Sequence, residues 1–335
     1  MHLSVLDLSP IPSGFTATDA LRNTIDLAAR AERAGFTRYW LAEHHNMASV
    51  ASSAPEIMIG QVAARTKTLR VGAGGIMLPN HSPLKVAELF RVLSALFPGR
   101  IDLALGRAAG TDPRTANALR PRIEPPGVDA FAEQVDALIG FLRADDLPRP
   151  PFARNTIAVP AGVAPPALFL LGSSDYGSRA AAKRGFGFAF ARHMNPADAE
   201  SELRHYRSAF EPSAHGSAPL AIVSVAAVCA PTDEEAQRLA RSGELSFVRF
   251  MQGMRDLPLP SVEEAEANPL DDEQRAILEA LGGRTLVGAP STVAPRIRAI
   301  AEECRADEVM ILTHVHEHEA RCRSYELLAE ALTAR

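Results

Sequence analysis

Short apolar runs and amphipathic stretches alternate along this chain from end to end. Runs rich in β-branched and aliphatic residues lie at 3–8, 37–41, 69–73, 101–105, 167–171, 186–190, 219–229 and 308–313. They are nearly continuous in apolar character, the pattern of strands covered on both faces. Between most of them the apolar positions recur with a helical period. Over 18–34, Leu21, Ile25, Ala28 and Ala31 share one face with Arg22, Asp26 and Arg30 beside it, and Gly35 follows as a stop. Residues 82–97 open on Ser82-Pro83 and close on Pro98-Gly99, and Ser291 heads a helix over 292–305. Eight strands alternating with helices predict parallel βαβ units, and eight is the number that closes a (β/α)8 barrel. An open doubly wound sheet is the competing architecture. The turn after the first strand, Leu8-Ser9-Pro10-Ile11-Pro12-Ser13-Gly14, lacks the GxGxxG that such a sheet would use for a dinucleotide. The chain of 335 residues reads as one barrel domain over 1–335.

Two stretches exceed a minimal barrel. One is 106–127, rich in Gly, Pro and Arg, after the fourth strand. The other is 252–288, with Pro258, Pro260, an acidic run around Glu263–Glu266 and Gly282-Gly283. Loops that follow strands lie on the catalytic face of a barrel, so each stretch is either a lid or a solvated insertion. Residues 252–288 are the candidate mobile lid.

Composition narrows the class. Hydrophobic residues make up 47% and charged residues 22%, which excludes wholesale disorder. A net charge of -5 gives no basic footprint, so neither nucleic acid nor an anionic membrane is an expected partner. No apolar stretch approaches the roughly 18 residues of a membrane span. The start, Met1 to Asp7, has no basic leader region, so a soluble cytoplasmic protein is expected. Three cysteines without a CxxC, Cys229, Cys304 and Cys322, make neither a disulfide framework nor a zinc site.

The strand ends carry the candidate chemistry. The second strand ends in Glu43-His44-His45-Asn46. Adjacent histidines leaving a strand point to opposite faces, so one of them can face the barrel mouth as an acid or base, or both are structural. The third strand runs into Gly72-Ala73-Gly74-Gly75, which either admits a flat ligand close to the backbone or forms a bulge. Arg107, beside small residues at the end of the fourth strand, suits a phosphate or a surface ion pair. Gly172-Ser173-Ser174-Asp175-Tyr176-Gly177-Ser178, before a helix over 179–184, is an anion site or plain capping. His314, His316 and His318 read as a polar strand-to-helix corner or, less readily, a metal site, and no metal is expected. There is no Walker A, GxSxG or HExxH.

Together these residues resemble the bacterial luciferase-like family of flavin-dependent monooxygenases, in its alkanal monooxygenase-like branch, which includes tailoring oxygenases of polyketide pathways. The resemblance rests on RYWLAEHHN at 38–46, LRVGAGGIMLPNHSPLKVAE at 69–88, FPGRIDLALGRA at 97–108, LGSSDYGSRAA at 171–181 and RSYELLAEAL at 323–332. It implies a (β/α)8 barrel that takes up FMN, reduced by a separate flavin reductase. Oxygen then adds at the flavin C4a, and the peroxide oxygenates an aldehyde or a hydrophobic, polyketide-like substrate. His44 falls at the family's catalytic histidine and Gly74-Gly75 at its cis peptide under the isoalloxazine. Arg107 falls at the phosphate-binding arginine. Gly172, Ser173, Ser174, Tyr176, Gly177 and Ser178 fall in the phosphate-binding segment, and 252–288 where luciferase has its lid. Luciferase carries a reactive cysteine where this chain has Gly106, which makes light emission doubtful. A homodimer is implied. An F420-dependent oxidoreductase on the same barrel and a non-catalytic flavin-binding protein are the alternatives.

Overall fold

The structure is a computed structural model that describes residues 1–120, 128–143, 156–280 and 284–333. The first half of the chain runs β1 (His2–Asp7), α1 (Ala17–Arg33), β2 (Arg38–Leu41), α2 (Pro55–Arg65), β3 (Arg70–Met77), α3 (Pro83–Leu96) and β4 (Ile101–Gly106). It continues through α4 (Pro113–Leu119), α5 (Val128–Leu142), β5 (Ala167–Gly172), α6 (Asp175–Arg184), β6 (Gly187–Phe190), α7 (Ala199–Ser208) and β7 (Ala221–Cys229). The last part is α8 (Asp233–Met251), α9 (Val262–Ala267), α10 (Asp272–Ala280), β8 (Thr285–Gly288), α11 (Pro290–Glu303), β9 (Glu308–Leu312) and α12 (His318–Thr333).

All strand pairs are parallel. They run β1 to β7 in order, then β7 to β9 and β9 back to β1, so eight strands close a (β/α)8 barrel. The ninth strand, β8, lies outside the ring and pairs with the end of β7, Ala226 opposite Thr285. It belongs to 252–288, which reads as loop in the sequence because four residues carry no usable period. That stretch also holds α9 and α10, and 106–127 holds α4. Residues 121–127 and 281–283, with Gly282-Gly283, lie outside the described residues.

Local chemistry explains the elements. α1 opens on a capping box in which Asp19 N–H donates to Thr16 Oγ1 (3.2 Å) and Thr16 N–H to Asp19 Oδ2 (2.9 Å). α6 stops at Gly185, in the left-handed region at φ 65°. Period-two alternation then sorts each strand. Leu6, Trp40, Ala104, Phe169, Ile222 and Met310 fill the barrel interior. Val5, Tyr39, Leu41, Val71 and Leu103 face the helices in a larger outer core. A fully buried side chain of this size contributes about 1.5–3 kcal/mol.

The N-terminal ends of the strands close the barrel below with charge. Arg38 Nη1 donates to Asp102 Oδ2 (2.6 Å) and Arg38 Nε to Glu308 Oε1 (2.7 Å). Trp40 Nε1 (3.0 Å) and Arg70 Nε (3.0 Å) also donate to Asp102, and Ser4 Oγ donates to Glu308. This floor leaves the C-terminal mouth as the only open end of the ring among the described residues. No helix of the described chain is long and apolar enough to cross a membrane.

Candidate active site

A cavity of about 410 Å³ lies at the mouth, within the range of small-molecule sites. Its lower wall is apolar and comes from inside the barrel: Leu6, Trp40, Met310 and Leu312. The residues just beyond the strand ends add the polar groups. They are His44 after β2, Arg107 after β4, Ser173 and Ser174 after β5, His193 after β6, Ser224 on β7 and His314 after β9.

The pair His44-His45 divides as strand geometry requires. His44 lines the cavity and His45 does not. His44 Nδ1 lies 3.2 Å from the Gly110 carbonyl. A carbonyl only accepts, so the ring proton sits on Nδ1 and Nε2 keeps its lone pair. Burial lowers the His44 pKa, against the opposing pull of the Gly110 carbonyl, so the ring is neutral near pH 7. His45 Nε2 instead meets the buried carboxylate of Glu43 at 3.0 Å. Glu43 also accepts from Met77 N–H (2.8 Å) and Asn80 Nδ2 (3.2 Å) and meets His81 Nε2 at 2.9 Å. It therefore orders the loops after β2 and β3 and makes no hydrogen bond to His44. Burial pushes its carboxyl up, but its bonds to His81, His45 and Met77 N–H outweigh that, and the net shift is downward.

Two histidines that face the cavity were not predicted from the sequence as site residues. His193 Nδ1 lies 2.7 Å from Ser224 Oγ, and that hydroxyl donates to the Phe190 carbonyl (3.1 Å). The serine proton is thus committed, so His193 donates from Nδ1 and its Nε2 is a second lone pair. Burial, with His314 and His44 nearby, pushes its pKa down to about 4. His314 is pushed down to about 4 by burial and by Arg321. The signal for both was available, since each is a polar residue two or three places past a barrel strand. The other two histidines of the C-terminal run go elsewhere. His316 Nε2 meets the Ser13 carbonyl at 2.9 Å. His318 Nε2 meets Asp26 at 3.0 Å, with Cys322 Sγ 3.4 Å away. Asp26, His318 and Cys322 form a compact trio, but Arg30 Nε already occupies Asp26 at 2.8 Å.

The glycine segment of β3 combines both of its sequence readings. The register shifts between Gly74 and Ile76, as in a bulge, and the Gly74–Gly75 peptide is cis, as the resemblance implies. Gly74 lines the cavity, whereas Gly75 does not. A β-carbon on Gly74 would stand 2.9 Å from Trp40 Cβ, and one on Gly75 would stand 2.4 Å from the Ala104 carbonyl oxygen. Packing inside the barrel therefore demands both glycines. At Gly106 a β-carbon would stand 2.5 Å from Met77 Sδ, so the methionine fills the space a cysteine would use.

At the opposite side of the cavity, the Arg107 guanidinium carbon lies 4.3 Å from the Tyr176 ring centre. It has no carboxylate partner among the described residues. Tyr176 sits in the first turn of α6, which starts at Asp175 and so earlier than the predicted 179–184. Ser174 is the N-cap and its hydroxyl makes no capping bond. The first N–H groups of α6 are thus left beside an unpaired guanidinium, an arrangement suited to an anion. Gly172 and Gly177 both line this wall, and a β-carbon on Gly177 would stand 3.1 Å from the Gly172 Cα. The two glycines let α6 begin directly against β5. Ser178 is one turn further on, fully buried, and donates to the Asp175 carbonyl (2.9 Å), with Glu202 as its other partner. It does not line the cavity.

A family model described as luciferase-like monooxygenase matches residues 1–308. This chain belongs to that family. A protein of Escherichia coli strain K12 named luciferase-like monooxygenase is 41% identical over 324 residues, 97% of this chain and 95% of its own. An N-acetyl-S-alkylcysteine monooxygenase of Bacillus subtilis strain 168 is 36% identical over 339 residues, 100% of this chain and 99% of its own. Among solved structures, apo-MsnO8 has a TM-score of 0.91 at 38% identity, covering 100% of this chain and 99% of that one. More distant structures share the fold alone. One is the oxygenating constituent of 3,6-diketocamphane monooxygenase from Pseudomonas putida with FMN, at 20% identity, TM-score 0.74 and coverages of 99% and 97%. Another is an F420-dependent secondary alcohol dehydrogenase, at 15%, TM-score 0.70 and coverages of 99% and 99%. The chain is thus a monooxygenase-class enzyme on a (β/α)8 barrel.

Proposed function

We propose that the chain is a single-domain FMN-dependent monooxygenase acting on an aldehyde or another hydrophobic small molecule. The observation that carries this reading is the division of the cavity. One end has an unpaired guanidinium at a helix N-terminus, the middle is an apolar floor, and the other end has neutral histidines with fixed tautomers. A flavin phosphate fits the first end and a flat ring system the second.

Arg107, with Ser173, Ser174 and the α6 amides near Tyr176 and Gly177, would hold the phosphate. Charge-assisted bonds and the helix N-terminus act together there. Gly74, Leu6 and Trp40 would face the ring. Gly75, Gly172 and Ser178 support this wall through backbone and packing rather than by direct side-chain contact. Reduced FMN, when bound, supplies the two electrons that let O2 place one oxygen atom in the substrate and the other in water. The chain's own residues then have two tasks. His44 Nε2, neutral and aimed by the Gly110 carbonyl, takes and returns the proton that oxygen transfer moves. The apolar walls and the part of the long insertion before β8, residues 252–280, acting as a lid, keep water out. On this reading the reduced cofactor arrives from a separate flavin reductase, and the chain works as a cytoplasmic homodimer.

The test uses a feature of the chain itself. Trp40 is its only tryptophan, and it lines the cavity. Anaerobic titration with reduced FMN should quench Trp40 fluorescence to saturation, and admitting O2 with a substrate should then give oxygenated product. No quenching by FMN overturns the reading. Quenching by reduced F420 in preference to FMN replaces it with a hydride-transfer enzyme. FMN binding without product from any aldehyde or apolar substrate leaves a flavin carrier.

A further inference from the structure

A second hollow, of about 190 Å³, opens beside the main cavity and shares Leu8 and His314 with it. On its other side it shares Met47 and Arg255 with an open surface groove. The three spaces lie side by side between solvent and the barrel mouth, bordered by the chain at 253–259. That segment is tied down by backbone bonds, Ala48 N–H to the Arg255 carbonyl (2.9 Å) and Leu259 N–H to the Ile11 carbonyl (2.9 Å).

The hollow is unlike a solvent channel. Met47, Phe247, Phe250 and Leu257 give it apolar walls, and the charged residues that line it are Arg249 and Arg255. Neither arginine has a carboxylate within ion-pair reach among the described residues. Arg255 lies with its guanidinium carbon 4.9 Å from the Phe250 ring centre, which fixes its position without neutralising it. The outer groove is different, because Arg114 and Arg255 there stand with Asp112 and Asp256. The positive excess therefore belongs to the inner hollow. Arg249 acts on Glu264 only beyond ion-pair distance, and Arg255 is shared with the groove that holds Asp256, so both guanidiniums keep hydrogen-bonding capacity for an anion.

We propose, on the basis of the flavin reading of the main cavity, that this hollow is the substrate's anchoring site and takes an organic anion. Its carboxylate pairs with Arg255 and Arg249, and its apolar arm passes Leu8 and His314 toward His44. The anion is held on the side opposite Arg107, so the two ends of the site would recognise two different anions.

The probes are octanoate and octanamide, which differ in charge and share their arm. Calorimetry on the purified chain should give octanoate a Kd about tenfold lower than octanamide. In Arg255→Gln, and separately in Arg249→Gln, that advantage should fall to about twofold or less, with thermal unfolding showing that each variant is folded. Equal binding of the two probes by the wild type overturns the proposal. So does an advantage that survives both substitutions. FMN titration of the same samples by Trp40 quenching separates the two readings. Loss of octanoate preference with FMN binding intact removes the anchoring site alone. Absence of FMN binding with the preference intact removes the cofactor reading alone.

Discussion

The two ends of the barrel are built from the same strands and use charge in opposite ways. At the floor, Arg38 and Arg70 meet Asp102 and Glu308, with Ser4 and Trp40 completing the bonds. At the mouth, Arg107, His44 and His193 keep donor or acceptor capacity that no carboxylate takes up among the described residues. The buried carboxylates at this end among the described residues, Glu43 and Asp7, are taken up by the loops and by Arg321 respectively, and neither lines the cavity. Charges that saturate one another hold a structure together, whereas an exposed guanidinium and neutral imidazoles left open around an apolar cavity are kept for a ligand.

Breaking the floor should cost the most. Arg38→Met strands buried Glu308 without a cation and leaves Asp102 to Arg70 alone, and urea unfolding should show a loss of about 3–5 kcal/mol. A loss under about 1 kcal/mol would make the floor no different from a surface ion pair.

At the mouth the effects fall on function. His44→Ala should lower product formation by at least about 10²-fold, while the FMN titration midpoint by Trp40 quenching stays within about twofold. The pH profile sharpens this. The His44 pKa is lowered from its ordinary 6.5, so the neutral base persists above that pH and activity should fall in acid only below it. An acid limb centred above 6.5 would assign the base elsewhere. Arg107→Ala comes next, weakening reduced FMN about tenfold or more, since bonds to charged groups contribute about 1.5–3 kcal/mol. Unchanged affinity would remove Arg107 from the site.

The smallest effect concerns the loops between the two regions. The hydrogen bond to Glu43 raises the His81 pKa above 6.5, and the His81, His45 and Met77 bonds hold Glu43 below 4.5. The His81 contribution to stability is present below pH 6.5 and is lost as pH rises through its raised value. The Glu43 contribution is present above pH 4.5 and is lost as pH falls through its lowered value. The pair therefore acts chiefly between those limits. Glu43→Gln should bring the His81 titration, followed by NMR, back down toward 6.5. An unmoved titration would show that the contact is not electrostatic.

The sequence by itself determined the eight barrel strands, the helices over 18–34, 82–97 and 292–305, and the placing of His44, Arg107 and the serine-rich segment at strand ends. Those features depend on local rules: period-two and helical patterning, capping residues, and the position of a residue past its strand. Even the choice between His44 and His45 was half legible, because alternation allows only one of them to face inward. Tertiary structure decided the rest. It chose His44, removed Gly75 and Ser178 from the cavity wall, started α6 at Asp175, and added β8 outside the ring. It also brought His193 and His314 within electrostatic reach of His44, three residues far apart in the chain. No local pattern encodes that meeting, because it exists only once β9 closes onto β1 and carries the last strand's end to the same mouth as the second.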